Sequence, residues 1–390
     1  MDCVNYPVIS TIQDAEFERL PRWFIEQCGQ ISTARRGEII LSKVGTPCFA
    51  SVVHDYDEIA LSRTVMGLVQ ITGINPYYLT AFLRCRYGFN QLLRQREQTI
   101  QYQLTLERVR ELLVFVPTPK FQSAIEKLMF ANIAKLQQAD HHQTQAEQTL
   151  LRALGLEGWE PPEPLTYTRR ASEALAAARF DAEYFAPRVA QLLAKLSADG
   201  LTIHDVAPAR HDAFDASKHH ADSFHYIEIS GLRSDGTATS EPTPTDEAPS
   251  RASQKVHKGD IITSTVRPIR RLSAIIGPDQ HEHVCSSGFV VLEPKAIPPE
   301  VLLTYLRLPI VCELMDLHTS ASLYPAISER DLLKLPIPKI PEKAAQTIIT
   351  QIRQAHHSRQ EAQSLLAKAK RAVEVAIEEG EEKAVLTLKE

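Results

Sequence analysis

Residues 121–154 read FQSAIEKLMFANIAKLQQADHHQTQAEQTLLRAL, and apolar residues recur in them at heptad spacing. Met129, Leu136, Gln143 and Leu150 make one row; Ile125, Asn132, Ala139, Ala146 and Ala153 make the other. Only Asn132 and Gln143 break the stripe, and no glycine or proline interrupts it before Gly155. The spacing predicts a helix with a coiled-coil seam. At 1.5 Å per residue such a helix is roughly 50 Å long, too long to bury its stripe within itself. Residues 341–377 supply a partner. Ala345, Ile352, Leu366 and Val373 form one row there, and Ile348/Ile349, Ala362, Ala369 and Ala376/Ile377 the other. The expected arrangement is two long helices packed together, each preceded by a globular head. A buried Asn or Gln in the seam is expected to fix its register.

Working outward, the heads repeat. Arg36-Gly37-Glu38-Ile39-Ile40 parallels Lys258-Gly259-Asp260-Ile261-Ile262. The run Asn75 to Arg84 parallels Pro298 to Arg307, and Val116-Pro117 parallels Ile337-Pro338. Ordered matches at nearly constant offset imply two copies of a head-then-helix unit. Each head mixes short β-rich runs, bounded by Gly, Pro and polar turns, with a proline-opened helix. The expected class is α+β, with small, mostly antiparallel sheets. Gly37 and Gly259 are read as tight turns before a strand. The second head has an extra front piece, beginning Arg179-Phe180-Asp181-Ala182-Glu183-Tyr184-Phe185, for which the first head shows no counterpart. Residues 155–170, with Pro161, Pro162 and Pro164, read as a stiff connector. Residues 234–253 read as a mobile loop, and the acidic tail after Glu378 as a fraying end.

Composition narrows the function. A net charge of -5 argues against a non-specific nucleic-acid coat. The six cysteines lie far apart without zinc-like spacing, which reads as reduced thiols in a cytosol. No signal peptide and no apolar run near 18 residues is seen, so a cytoplasmic chain is expected. Asn75-Pro76-Tyr77-Tyr78 lacks the second proline of an amino-methyltransferase loop and is read as a helix start. Nucleotide-loop, HExxH and GxSxG motifs are absent. No catalytic residue, cofactor or metal is expected.

The order of pieces in the second half resembles the specificity subunit of type I restriction-modification systems. Those pieces are Tyr226-Ile227-Glu228-Ile229, Lys258 to Ile262, Val266-Arg267-Pro268, Ser286-Ser287-Gly288-Phe289, Pro325-Ala326-Ile327-Ser328 and Leu335-Pro336-Ile337-Pro338 leading into a long helix. Phe180 to Phe185 resembles the start of a target recognition domain in that family. The resemblance implies two target recognition domains, at residues 1–118 (shortened at its front) and 179–340. Long spacer helices at 119–156 and 341–380 follow them and form an antiparallel coiled coil, with a linker at 157–178 and a tail at 381–390. It further implies a non-catalytic DNA-recognition subunit that binds a bipartite site in double-stranded DNA. Two modification (methyltransferase) subunits, with a restriction/translocase subunit where one exists, would be its partners. The alternative reading is a coiled-coil scaffold descended from such a subunit, without DNA reading. Under the favoured reading, Arg267, Arg270, Arg271, Lys258, Lys255 and Thr265 of the second head are the candidate DNA contacts. Arg35, Arg36 and Lys43 hold the equivalent place in the first. Arg251 belongs to the same basic stretch. Arg84, Arg86, Arg94 and Arg96 form a second cluster, read equally as last-turn dipole partners. His219, His220 and Tyr226 are further candidates.

Overall fold

The two heptad runs form continuous helices, Pro119–Ala153 and Glu342–Glu379. They belong to a computed structural model that describes residues 5–9, 17–29, 31–44, 48–96, 103–161, 163–233, 235–320 and 325–388. The chain divides into two compact units, residues 1–138 with 357–390, and residues 139–356. The first unit pairs the early part of the first long helix with the late part of the second. The second unit pairs the late part of the first with the early part of the second, so the pairing is antiparallel. Ile125, Asn132, Ala139 and Ala146 are all buried, as are Ile348, Ala362, Ala369 and Ala376. Asn132 Nδ2 donates to the Ala362 carbonyl at 2.7 Å, which anchors one helix on the backbone of the other. Leu136, expected in the seam, is 41% exposed. Met129 and Leu150 of the same row are buried, each in the core of its own unit.

Both heads are α+β, and their three- and four-stranded sheets repeat, while among the described residues the second head adds a two-stranded pair, Thr319–Ser320 with Ala326–Ile327. In the first, Ile39–Ser42 is the centre of a three-stranded antiparallel sheet between Ala50–Val52 and Val65–Leu68. In the second, Ile261–Ser264 lies between Ser273–Ile275 and Phe289–Leu292 in the same way. These strands are fully buried, because one face of each sheet packs on helices and the other on strands of the neighbouring sheet. A four-stranded sheet joins each. Its order is Phe17–Pro21, Asn5–Ile9, Glu58–Leu61, Thr33–Arg35 in the first unit. The second unit repeats it with Glu241–Pro244, Ser223–Ile227, Val284–Ser286, Ala252–Lys255. In both sheets the two middle strands are parallel and the outer pairs antiparallel. Two short helices then pack on the three-stranded sheet: Pro76–Arg84 and Arg86–Arg94 in one head, Pro299–Leu306 and Pro309–Asp316 in the other. Asn75 Oδ1 accepts from the amides of Tyr77 and Tyr78, so Asn75-Pro76 is a helix N-terminus.

Two further sequence expectations fail. The Thr/Ser/Pro-rich stretch read as a mobile loop contains the strand Glu241–Pro244, paired with Ser223–Tyr226. It is an edge strand, where a proline's missing N–H faces away from the ladder and costs nothing. The acidic tail read as fraying is a helix, Glu381–Thr387, set off by Gly380 at φ +93°. Ala384 is fully buried in the first head's core. The Glu381 carboxylate accepts from the Thr118 amide at 2.8 Å and its hydroxyl at 2.5 Å, at the start of the first long helix.

Candidate nucleic-acid interface

The Arg36-Gly37-Glu38 and Lys258-Gly259-Asp260 turns are built alike. Gly37 and Gly259 sit at φ +85° and +88°, a region glycine enters without penalty. Glu38 accepts from the Arg35 amide at 2.7 Å, and Asp260 from the His257 amide at 2.8 Å. This geometry places Arg35, Arg36, Lys255 and Lys258 at the start of the central strands. Arg36 is tied to Asp57 at 3.0 Å and to the His54 carbonyl at 2.8 Å. Arg35 lies 3.6 Å from Glu58. Lys258 is exposed, and Lys255 is half-buried on its strand.

Lys43 and Thr265 occupy matching positions at the other end of those strands. The Lys43 amide donates to the Thr64 carbonyl, and its carbonyl accepts from Leu104. Thr265 does the same with Gly288 and Ile327, and its hydroxyl also donates to Gly288 at 3.0 Å. Beyond Thr265, the turn Pro268–Arg270 is flanked by Arg267 and Arg271, both left-handed, at φ +51° and +59°. Two non-glycine residues in that region need support from their surroundings. The Arg267 amide donates to Pro325, and Arg271 Nε donates to the Arg307 carbonyl at 2.5 Å. Arg271 Nη2 reaches Glu147, on the first long helix, at 2.6 Å. Arg307 returns the contact with Nη1 to the carbonyls of Arg271 and Ser273, at 3.0 and 3.3 Å. Arg307 is buried; burial, and then the charge of Arg271, push its guanidinium down to about 10. The result is a braced turn whose outermost side chains are Ile269 and Arg270, both exposed.

The candidate residues therefore fall into two groups on each head. Arg267, Arg270, Arg271 and Thr265 share one end of the central strand. Arg251 joins them, because its carbonyl accepts from Ser287, next to the Gly288 that Thr265 binds. Lys255 and Lys258 lie at the opposite end. Lys43 is likewise separated from Arg35 and Arg36 by the strand Ile39–Ser42. Arg271 faces inward to Glu147 and Arg307. Tyr226 is buried with Phe214, Phe224 and Val284, so it belongs to the core and not to a groove. His219 packs edge-on against Phe214 and Phe224. Of the second cluster, Arg86 pairs with Glu378, Arg96 Nε donates to the Leu93 carbonyl at a helix end, and burial lowers the Arg84 pKa.

Sequence reasoning missed Arg307 and Glu147. The available signal was the arginine that closes both repeated helices, Arg84 and Arg307. Glu147 carried none, being one polar residue on a long polar face. Among the described residues no group of three or more His, Cys, Asp or Glu suits a metal ion. No described helix is long and apolar enough to cross a membrane. Cys28, Cys48, Cys85, Cys285 and Cys312 are free thiols.

No protein-family model matches the chain, and no curated protein matches it. Solved structures do. A HsdS subunit from Thermoanaerobacter tengcongensis matches at 24% identity and TM-score 0.37, over 45% of this chain and 46% of that one. The chain therefore spans under half the length of that subunit. A type I restriction-modification system S subunit from M. genitalium matches at 12% identity and TM-score 0.39, over 94% and 87% of the two chains. The chain is similar to type I specificity subunits. A third match comes from a structure of complex assembly and conformational transition in the type I R-M system. It has 16% identity and TM-score 0.31, over 94% and 92%.

Proposed function

We propose that this chain is the DNA sequence-recognition subunit of a type I restriction-modification complex. Each head reads one half of a bipartite duplex site, and the long helices between them hold the half-sites at fixed spacing. The target recognition domains are residues 1–118 and 179–340, and the spacer helices residues 119–156 and 341–380. Partner methyltransferase subunits, with a nuclease subunit where one exists, carry the chemistry, and this chain carries none. The observation that supports the reading most is the duplicated head, with its three- and four-stranded sheets in the same order and followed each time by a long helix. Two readers on one scaffold gain avidity only for half-sites at the matching separation.

Within the second head, the braced turn Val266–Arg271 is the favoured reading element. Arg270 and Arg267 offer guanidinium donors for base edges or phosphates, and Ile269 an apolar contact. Arg271, Arg307 and Glu147 hold its shape. In the assembled complex with methyltransferase subunits, Arg270→Ala is expected to relax recognition at one or two positions of one half-site. The affinity loss at those positions is about 5- to 150-fold, equivalent to about 1–3 kcal/mol. Binding titrations against duplexes varied in each half test this. A loss spread over both halves, or none in either, contradicts it.

A further inference from the structure

The segment leading into each long helix lies outside any helix, and the repeat aligns Val114, Phe115 and Val116 with Leu335, Pro336 and Ile337. A shared hydrogen bond anchors both from the head side. Tyr78 Oη donates to the Phe115 carbonyl at 2.8 Å, and Tyr305 Oη to the Pro336 carbonyl at 2.5 Å. In an extended chain the residues on either side of such an anchor turn their backbone groups the other way. In the second unit those outward groups are taken. The Ile203 amide donates to the Leu335 carbonyl at 2.9 Å, and the Ile337 amide to the Leu201 carbonyl at 3.0 Å. Thr202 and Pro336 form an antiparallel bridge. Leu335 and Ile337 are 2% and 1% exposed beneath that cover.

The first unit has the anchor without the cover. Gln91 brackets Leu113 through its amide at 2.9 Å and carbonyl at 3.0 Å, and Gln122 Nε2 donates to the Pro117 carbonyl at 2.9 Å. With Phe115, these bonds fix every second residue of the segment. Among the described residues, nothing hydrogen-bonds the backbone of Val114 or Val116. Val114 is 36% exposed, Val116 58% and Leu113 80%. An apolar edge pinned straight, with its ladder groups open, is a template for strand addition.

We propose that Val114–Val116 is a docking edge that accepts an extended segment from a partner polypeptide. The segment pairs antiparallel and carries apolar side chains at alternate positions, in the manner of Leu201-Thr202-Ile203. A second copy of this chain is a poor donor, because its own Ile203 is fully buried in the second unit's core. The edge belongs to the first unit and shares no residue with the braced turn, so the inference holds whether or not the heads read DNA.

The test uses a fluorescein-labelled peptide with the sequence of residues 200–207, GLTIHDVA, titrated with the full chain by anisotropy. Saturable binding is expected, weakened at least about tenfold by Val116→Asp in the chain. N-methylation of the peptide at its isoleucine, which removes the amide that would reach the Val114 carbonyl, is expected to do the same. Leu175→Asp, at an exposed leucine of the other unit, is expected to leave binding unchanged. No saturable binding up to about 1 mM peptide, or binding that survives either Val116→Asp or the N-methyl group, overturns the proposal.

Discussion

Tyr78 and Tyr305 hold the same backbone point from different turns of their helices: the repeat aligns Tyr305 with Phe82, and Tyr78 with Val301. The bond has been kept while the residue that makes it has moved by one turn, which is why sequence alignment alone did not pair the two tyrosines. Tyr305→Phe leaves the buried Pro336 carbonyl without a donor and is expected to cost about 1–3 kcal/mol. Urea unfolding followed in the second unit reads this directly. Arg307→Lys keeps the charge but loses the guanidinium whose Nη1 binds the carbonyls of Arg271, in the braced turn, and of Ser273, in the strand after it. Amide exchange at residues 267–273 is then expected to quicken about tenfold, corresponding to about 1.4 kcal/mol of local stability. His283 is stacked on His225 at 4.6 Å. Burial, and then the charge of His225, hold its pKa below the ordinary 6.5. A histidine that resists protonation when folded makes the unfolded state bind more protons in that window. Stability of the second unit is thus expected to fall as pH drops through 6.5, and His283→Gln to flatten that slope in thermal melts. The turn after strand Ile261–Ser264 was legible from its arginines and proline. Its bracing was not, because Glu147 and Arg271 lie 124 residues apart in the chain.

At the scale of elements, long periodic helices were the most legible feature, since dozens of positions vote for one period. The central strands of the three-stranded sheets were legible too, as short apolar runs between turns. Strands of the outer sheets were not. Glu241–Pro244 carries two prolines and a glutamate, and only its edge position makes that sequence tolerable as a strand. The helix Glu381–Thr387 was hidden by its charge, because its fixing contacts (Ala384 in the core, Glu381 on Thr118) are made with the far end of the chain. Deleting residues 381–390 is expected to lower the stability of the first unit by about 2–4 kcal/mol, from lost apolar burial and the lost cap. Limited proteolysis should then open residues 1–138 before residues 139–356.

At the scale of the whole molecule, duplication organises the chain. Each head repeats two sheets, a helix pair and a long helix, and each core takes in the start of one long helix and the end of the other. We propose that the duplicated heads direct a partner methyltransferase to a two-part DNA site. The most direct measurement is the methylome of cells expressing this chain with a cognate modification subunit, against cells with the modification subunit alone. A new methylated motif, split into two halves at constant spacing, is expected only when this chain is present. Stable association with the methyltransferase and no new methylated motif would contradict it, and would leave a scaffold without DNA reading.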